Sequence, residues 1–202
     1  MPDGTRPRAL STAELVARKP GPEEFARLPR APVHAVFSNV RGLANVGLAF
    51  RVCDNLRVER LWLCGITGYP LREDDPRPPE IAERCDREIR RTAVMAVPFV
   101  PWSYEPDAVE VVKRLKEEGY RVVAVEQAEG SIPLFSADLR GRLCLVFGHE
   151  RLGVEAEILK LADAVVELPV WGMANSINVA MALAIVGFEA ARQNAGWGIP
   201  PL

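Results

Sequence analysis

The 202-residue chain is poor in the side chains that usually hold metals. Its only histidines are His34 and His149, and its four cysteines, Cys53, Cys64, Cys85 and Cys144, form no Cys-x-x-Cys pair. A zinc site therefore has little support, and no metal is expected. Three of the cysteines sit in apolar stretches and read as reduced thiols of a cytoplasmic protein. An excess of charge is also missing: 25 Lys and Arg face 27 Asp and Glu, a net charge of -2. Bulk charge thus does not point to nucleic acid, although it leaves room for a local basic face. Long apolar runs are absent. The most apolar stretch, residues 177–188, is broken by Asn178 and is too short to cross a bilayer. The first ten residues lack the apolar run of a secretory leader, so no membrane partner is expected. Missing too are the glycine-rich phosphate loop with its Lys-Ser/Thr pair, the dinucleotide fingerprint and the Gly-x-Ser-x-Gly elbow.

What is present is enough apolar material for one packed domain: 49% of residues are hydrophobic and 26% charged. Residues 1–31 are rich in Pro, Arg and Ala and read as an N-terminal arm. In it Arg6, Arg8, Arg18, Lys19, Arg27 and Arg30 outnumber the acidic residues. Ser11 followed by Glu14 predicts a capping box on a short helix over residues 11–18. The domain proper is residues 32–202. There strand patterns alternate with helical ones. Strands are predicted at 33–37, 60–64, 121–125, 143–147 and 164–168, and helices at 44–56, 80–89, 107–118, 154–161 and 176–192. Prolines at 70, 76, 78 and 79 make residues 67–79 a loop, residues 93–97 a short apolar piece and residues 101–106 a connector. This alternation predicts an α/β fold with a mostly parallel sheet covered by helices on both faces. Ligands in such sheets bind beyond the C-terminal ends of the strands. Three loops lie there: residues 38–45, 148–153 and 169–176.

Each loop carries an ambiguous set of residues. Asn45 and Arg51 are six positions apart on a helix. Arg51 reads either as a holder of substrate phosphate or as a half-exposed side chain pairing with Asp54. Gly148 closes an apolar strand and Gly153 precedes a helix, so backbone amides can approach a ligand closely there. Glu150 between them is placed to accept hydrogen bonds from a loop or a ligand. Ser176 reads as a helix cap, and Asn178 as a buried amide that must find partners. Taken alone, the three loops imply a small-molecule site at the sheet edge and do not name its chemistry.

Taken together, in order, they resemble the SpoU-type (TrmH-like) RNA ribose methyltransferases of the SPOUT superfamily. The family's first motif, an Asn-rich turn leading to a helical Arg, appears as Asn45-Val46-Gly47 and Arg51. The second, Gly-x-Glu-x-x-Gly, appears as Gly148, Glu150 and Gly153. The third appears as Leu168-Pro169-Val170-Trp171-Gly172 and Ser176-Ile177-Asn178-Val179. The likeness extends over residues 32–192, with Arg91-Thr92-Ala93, Pro101-Trp102 and Glu126-Gln127 between the motifs. It implies a deep C-terminal trefoil knot, an exception to the rule against knots. It also implies S-adenosyl-L-methionine as cofactor and a homodimer with its sites at the interface, for which the last helix and residues 44–56 are candidates.

By this likeness Gly148, Leu168 and Ile177 line the cofactor pocket, joined by Val146, Phe147, Pro169 and Gly153. The implied reaction is methyl transfer to a ribose 2'-hydroxyl of tRNA or rRNA. Arg51 is the leading catalytic residue, and Asn45, Glu150, Ser176 and Asn178 hold the loops and orient the ribose. Arginine is a poor base in general, so positioning and charge stabilisation are its safer roles. Some positions depart from the family pattern. Val170 replaces a Met and Ile177 a Leu; Ala180 stands where Ser is common; and Val94-Met95-Ala96-Val97-Pro98 follows the Arg91-Thr92-Ala93 segment. None removes a presumed catalytic group. A structured RNA partner would meet the arm's basic residues together with Arg41, Arg84, Arg87, Arg90 and Arg91, unless these form an ordinary solvated face. The alternatives are a catalytically weak family member that binds RNA or cofactor, and an enzyme for a non-RNA substrate.

Overall fold

A computed structural model of the protein describes residues 8–199 and 201. Arg6, counted above with the arm's basic residues, lies outside them. The strands are β1 (Ala31–Ser38), β2 (Val58–Cys64), β3 (Trp102–Glu105), β4 (Arg121–Val125), β5 (Ile132–Pro133), β6 (Leu143–Phe147) and β7 (Ala164–Glu167). They form one sheet in the order β3-β2-β1-β6-β4-β7-β5, and every pairing is parallel. The helices are α1 (Thr12–Ala17), α2 (Pro22–Arg27), α3 (Leu43–Asn55), α4 (Pro79–Ala93), α5 (Ala108–Glu117), α6 (Ala156–Leu161) and α7 (Val179–Gln193). No helix among the described residues is long and apolar enough to cross a membrane.

Period-two alternation sends the side chains of each strand into two separate cores. Phe37, Leu61, Leu63, Leu145 and Phe147 pack with apolar residues of α3, α4 and α7. Val36, Trp62, Val122, Cys144 and Val146 pack under α5 and α6. β6 is buried along its whole length because it lies in the middle of the sheet with helices on both sides. On the first face α3 and α4 approach closely at Gly47. A methyl group there would lie 2.1 Å from Thr92 Oγ1 and 2.2 Å from the Ile89 carbonyl oxygen. Thr92 Oγ1 also donates to the Ala44 carbonyl at 3.0 Å.

Several boundaries differ from the sequence reading. Residues 101–106 are not merely a connector: β3 lies inside them, an edge strand whose four residues are only partly buried. β5, two residues long, carries no periodicity to detect. α4 continues to Ala93, which absorbs the start of the apolar piece. The last helix begins at Val179 rather than Ser176, because Asn178 is its cap: its side chain accepts from the amides of Ala180 and Met181. α1 forms with the Ser11–Glu14 capping box. The rest of the arm runs along the domain, held by Arg57, which donates to the carbonyls of Phe25 (3.0 Å), Leu28 (2.6 Å) and Pro29 (3.0 Å).

Candidate active site

β1, β6, β4 and β7 are consecutive in the sheet, so the segments that leave their C-terminal ends converge. The strand order also turns here, since β2 and β3 lie to one side of β1 while β6, β4, β7 and β5 lie to the other. A cavity of about 610 Å³ opens at this point, within the size range of small-molecule sites. Its walls come from Val125–Gln127 after β4, Phe147–Arg151 after β6, and Leu168 with Asn175–Val179 after β7. A second, more apolar cavity of about 480 Å³ lies between the arm and the C-terminal residues, against Phe25, Phe188 and Trp197. It contains none of the polar strand-end residues.

Side-chain hydrogen bonds lock the loops around the first cavity. Glu150 accepts from the amide of Arg41 at 3.0 Å, the amide of Gly42 at 2.9 Å and Asn45 Nδ2 at 3.0 Å. Asn45 Oδ1 in turn accepts from Asn178 Nδ2 at 2.9 Å. One carboxylate and two amides thus join the loop after β6, the start of α3 and the start of α7. Partial burial pushes the Glu150 carboxyl up, but the amides of Arg41 and Gly42 and the Asn45 side chain outweigh it. The net shift is downward from the ordinary value. The charge of Glu150 therefore serves to hold loops.

The loop after β6 is folded back on itself. His149 and Gly153 exchange backbone hydrogen bonds at 3.0 and 2.9 Å, and His149 Nδ1 accepts from the amides of Arg151 and Leu152. The fold-back brings Gly148 against Gly153: a Cβ on Gly148 would lie 2.1 Å from the Gly153 carbonyl oxygen. Only glycine allows this fold-back, and the backbone of Gly148 is part of the cavity wall. Glu126 Oε2 fixes the next residue by accepting from the Val154 amide at 2.8 Å. Gln127 Nε2 donates to the Asn175 carbonyl at 2.9 Å, holding the loop after β7.

Of the residues singled out in the sequence, Phe147, Gly148, Glu150, Gly153, Leu168, Ser176, Ile177 and Asn178 line the cavity. Asn45 stands behind it as the middle of the relay. Val146 does not line it. Strand alternation turns its side chain into the opposite core, where it is fully buried. Pro169 lies on the loop but outside the lining. Ser176 lines the cavity and is exposed, while Asn178 caps α7 in its place and is exposed rather than buried, because it stands at the open end of the helix beside the cavity. Arg51 is exposed on α3, outside the lining, and makes no ion pair with Asp54. Asp54 faces Lys19, Arg57 and Arg30 instead, its carboxyl raised mainly by burial. Glu126, Gln127 and Asn175 were not picked out as site residues. The polar pair Glu126-Gln127 at the end of an apolar strand was the available signal.

The basic residues divide into two groups. Arg8 pairs with Glu14, Arg90 with Asp86 and Arg91 with Glu88, while Arg30 donates to the carbonyls of Val58 and Phe99. Arg18, Lys19, Arg27, Arg41, Arg51, Arg84, Arg87 and Arg151 are exposed and have no salt bridge among the described residues. No group of three or more His, Cys, Asp or Glu among the described residues is placed to hold a metal ion.

Comparison with known proteins gives consistent results. The model of the SpoU rRNA Methylase family matches residues 32–188. A tRNA (guanosine(18)-2'-O)-methyltransferase of Thermus thermophilus is 29% identical over 184 residues, covering 91% of this chain and 86% of that protein. The crystal structure of the Aquifex aeolicus TrmH/SpoU tRNA-modifying enzyme superposes with a TM-score of 0.67 at 24% identity, over 89% of this chain and 88% of the other. An AdoMet-bound rRNA methyltransferase from Sinorhizobium meliloti superposes with a TM-score of 0.67 at 25% identity. In that case 81% of this chain matches 57% of the other.

Proposed function

The chain belongs to the SpoU rRNA methylase family, and on that premise we propose that it transfers a methyl group from S-adenosyl-L-methionine to a ribose 2'-hydroxyl of tRNA or rRNA. The observation that carries this reading is the Glu150–Asn45–Asn178 relay, which fixes three strand-end loops around one cavity. The cavity suits the cofactor in size, and the backbone of Gly148 is part of its wall. When bound, the cofactor supplies an electrophilic methyl on a sulfonium. The residues of this chain do the rest. Phe147, Leu168 and Ile177 exclude water from the apolar part of the cavity, while Glu126 and Gln127 keep its loops in place. The relay orients the exposed polar groups, including Ser176, toward the ribose. Arg51 holds a phosphate next to the reacting ribose and stabilises the charge that grows on the 2'-oxygen as its proton leaves.

Arg51 stands outside the cavity of its own protomer, and a homodimer brings it to a reaction centre. Met181, Ile185 and Phe188 recur along α7 and are exposed, an apolar stripe that supports an isologous contact through this helix. The trefoil knot in the C-terminal third and a cytoplasmic setting complete the proposal. The four free cysteines, three of them buried, accord with a reducing compartment.

The test is a calorimetric titration with S-adenosyl-L-methionine, run on the protein and on Gly148→Val, followed by mass spectrometry of ribose methylation on unmodified tRNA and rRNA transcripts. Saturable binding, its loss in the variant and one methyl on a ribose are expected. A folded protein that binds no cofactor and methylates neither RNA would overturn the reading.

A further inference from the structure

The protein has four tryptophans, and three are packed away. Trp62 is 9% exposed, Trp102 meets Phe50 edge-on at 6.2 Å between ring centres, and Trp197 is half-buried in the C-terminal turn. Trp171 is the exception at 87% exposed. It sits midway along the loop after β7, between Leu168 and Asn175, both of which line the cavity. Leu152, 83% exposed, has the same relation to the loop after β6, where both of its neighbours line the cavity. Met173 is fully exposed. Large apolar side chains are therefore held in water at the rim of the one cavity that carries the polar strand-end residues. Leaving them there costs hydrophobic free energy unless something covers them.

Charge at the same rim indicates what that is. The backbone of Arg41 is pinned by its amide to Glu150, and that of Arg151 by its amide to His149 Nδ1. Both guanidinium groups are nevertheless exposed and without an ion pair among the described residues. A fixed backbone with an uncommitted cation suits a phosphodiester, and an exposed indole suits the flat face of a base. An apolar protein surface would match the tryptophan and leave both cations unpaired.

We infer that Trp171 stacks on a nucleobase of the RNA substrate at or beside the methylated nucleotide, while Arg41 and Arg151 hold the flanking phosphates. The inference rests on the RNA-methyltransferase reading and adds its base-contacting residue. The base stacks outside the cofactor cavity, so Trp171 contributes to RNA affinity and leaves cofactor affinity alone.

The protein has four tryptophans, so the emission of Trp171 is read as the difference between the wild type and Trp171→Phe. Unmodified tRNA and rRNA transcripts are titrated into the intact protein, with and without S-adenosyl-L-methionine. The RNA that is methylated is expected to quench emission, and the cofactor alone is not. Trp171→Ala should raise KM for that RNA about tenfold, the scale of one lost base stack. Cofactor affinity and the salt dependence of RNA binding should not change. Trp171→Phe should restore most of the affinity. Arg151→Ala should lower the slope of log affinity against log salt by about 0.7–0.9, the value for one released counterion. Unchanged RNA affinity in Trp171→Ala would overturn the inference, as would quenching by the cofactor alone with weakened cofactor binding in that variant. Dissociation of a dimer by Trp171→Ala with RNA affinity intact would assign the side chain to a second copy and also overturn it. In all three cases the wild-type protein still methylates RNA. A wild-type protein that neither binds nor methylates either transcript would instead remove the functional reading beneath it.

Discussion

The two ends of the sheet use the same kinds of side chain for opposite purposes. Toward the N-terminal end, His34, Glu59, Trp62, Tyr120 and Arg142 form a closed set. Trp62 Nε1 donates to His34 Nδ1 at 2.8 Å, Tyr120 donates to Glu59, and the Arg142 guanidinium lies 4.0 Å from the centre of the Tyr120 ring. Arg142 also donates to the Glu118 carbonyl at 2.8 Å. Each aromatic ring there has a cation or an imidazole against it. Around the cavity at the C-terminal end, Arg41, Arg51 and Arg151 have no salt bridge among the described residues and Trp171 is exposed, while the carboxylates and amides that hold the loops are satisfied. Residue type does not distinguish structural from functional groups in this protein, whereas the presence or absence of partners does. Mutations at the first end should therefore change stability, and mutations at the second should change turnover.

The sharpest test of that division is Arg51→Ala. Removing a charge that stabilises a developing oxyanion typically costs a hundredfold or more in turnover, and about that loss in kcat is expected. Because Arg51 is exposed and has no salt bridge among the described residues, the melting temperature should stay where it was. A fall in melting temperature with kcat intact would reverse the assignment. The next largest effect belongs to the other end. Burial is the main cause that lowers His34 from 6.5 to about 4, against an opposing pull from Glu59, with Arg60, Arg142 and Arg114 adding to the lowering. The unfolded chain thus takes up a proton on this group at a higher pH than the folded one does. Stability is full above 6.5 and falls as the pH drops toward 4, by about 3 kcal/mol at most. Denaturant titrations over that range should show the slope, and His34→Asn should flatten it. The smallest effect is Glu150→Gln, which keeps the shape and removes the charge. Its lowered carboxyl contributes fully above its ordinary range, and the contribution is lost as the pH falls through the lowered value. Protection of the Arg41 and Gly42 amides, taken as exchange relative to the intrinsic rate at each pH, should fall in the variant at neutral pH, and in the wild type only in acid. A large loss of global stability in Glu150→Gln would blur the comparison between the two ends.

The α/β class, five of the seven strands and the three functional loops were legible because each rests on a local pattern. β6 reads as a central strand from LCLVF alone, and α5 from its apolar stripe and the Gly119 stop. β3 and β5 were not legible, since edge strands of four and two residues carry too little periodicity. The motif residues were legible by family likeness, while their division of labour was not. Nothing in the sequence says that the Asn178 side chain both caps α7 and reaches Asn45, a contact across 133 positions. That contact depends on the order of strands, which local pattern does not encode. The facing of Val146 was legible, since period-two alternation along β6 puts it on the side opposite Phe147.

The close crossing at Gly47 has a mechanical consequence. Two helices with no clearance between them, and a hydrogen bond from Thr92 to Ala44 across the joint, cannot slide past each other. α3 and α4 are therefore fixed in register. Arg84 and Arg87, exposed and without a salt bridge among the described residues, belong to the same packed pair of helices as Asn45, which is tied to Glu150 and Asn178.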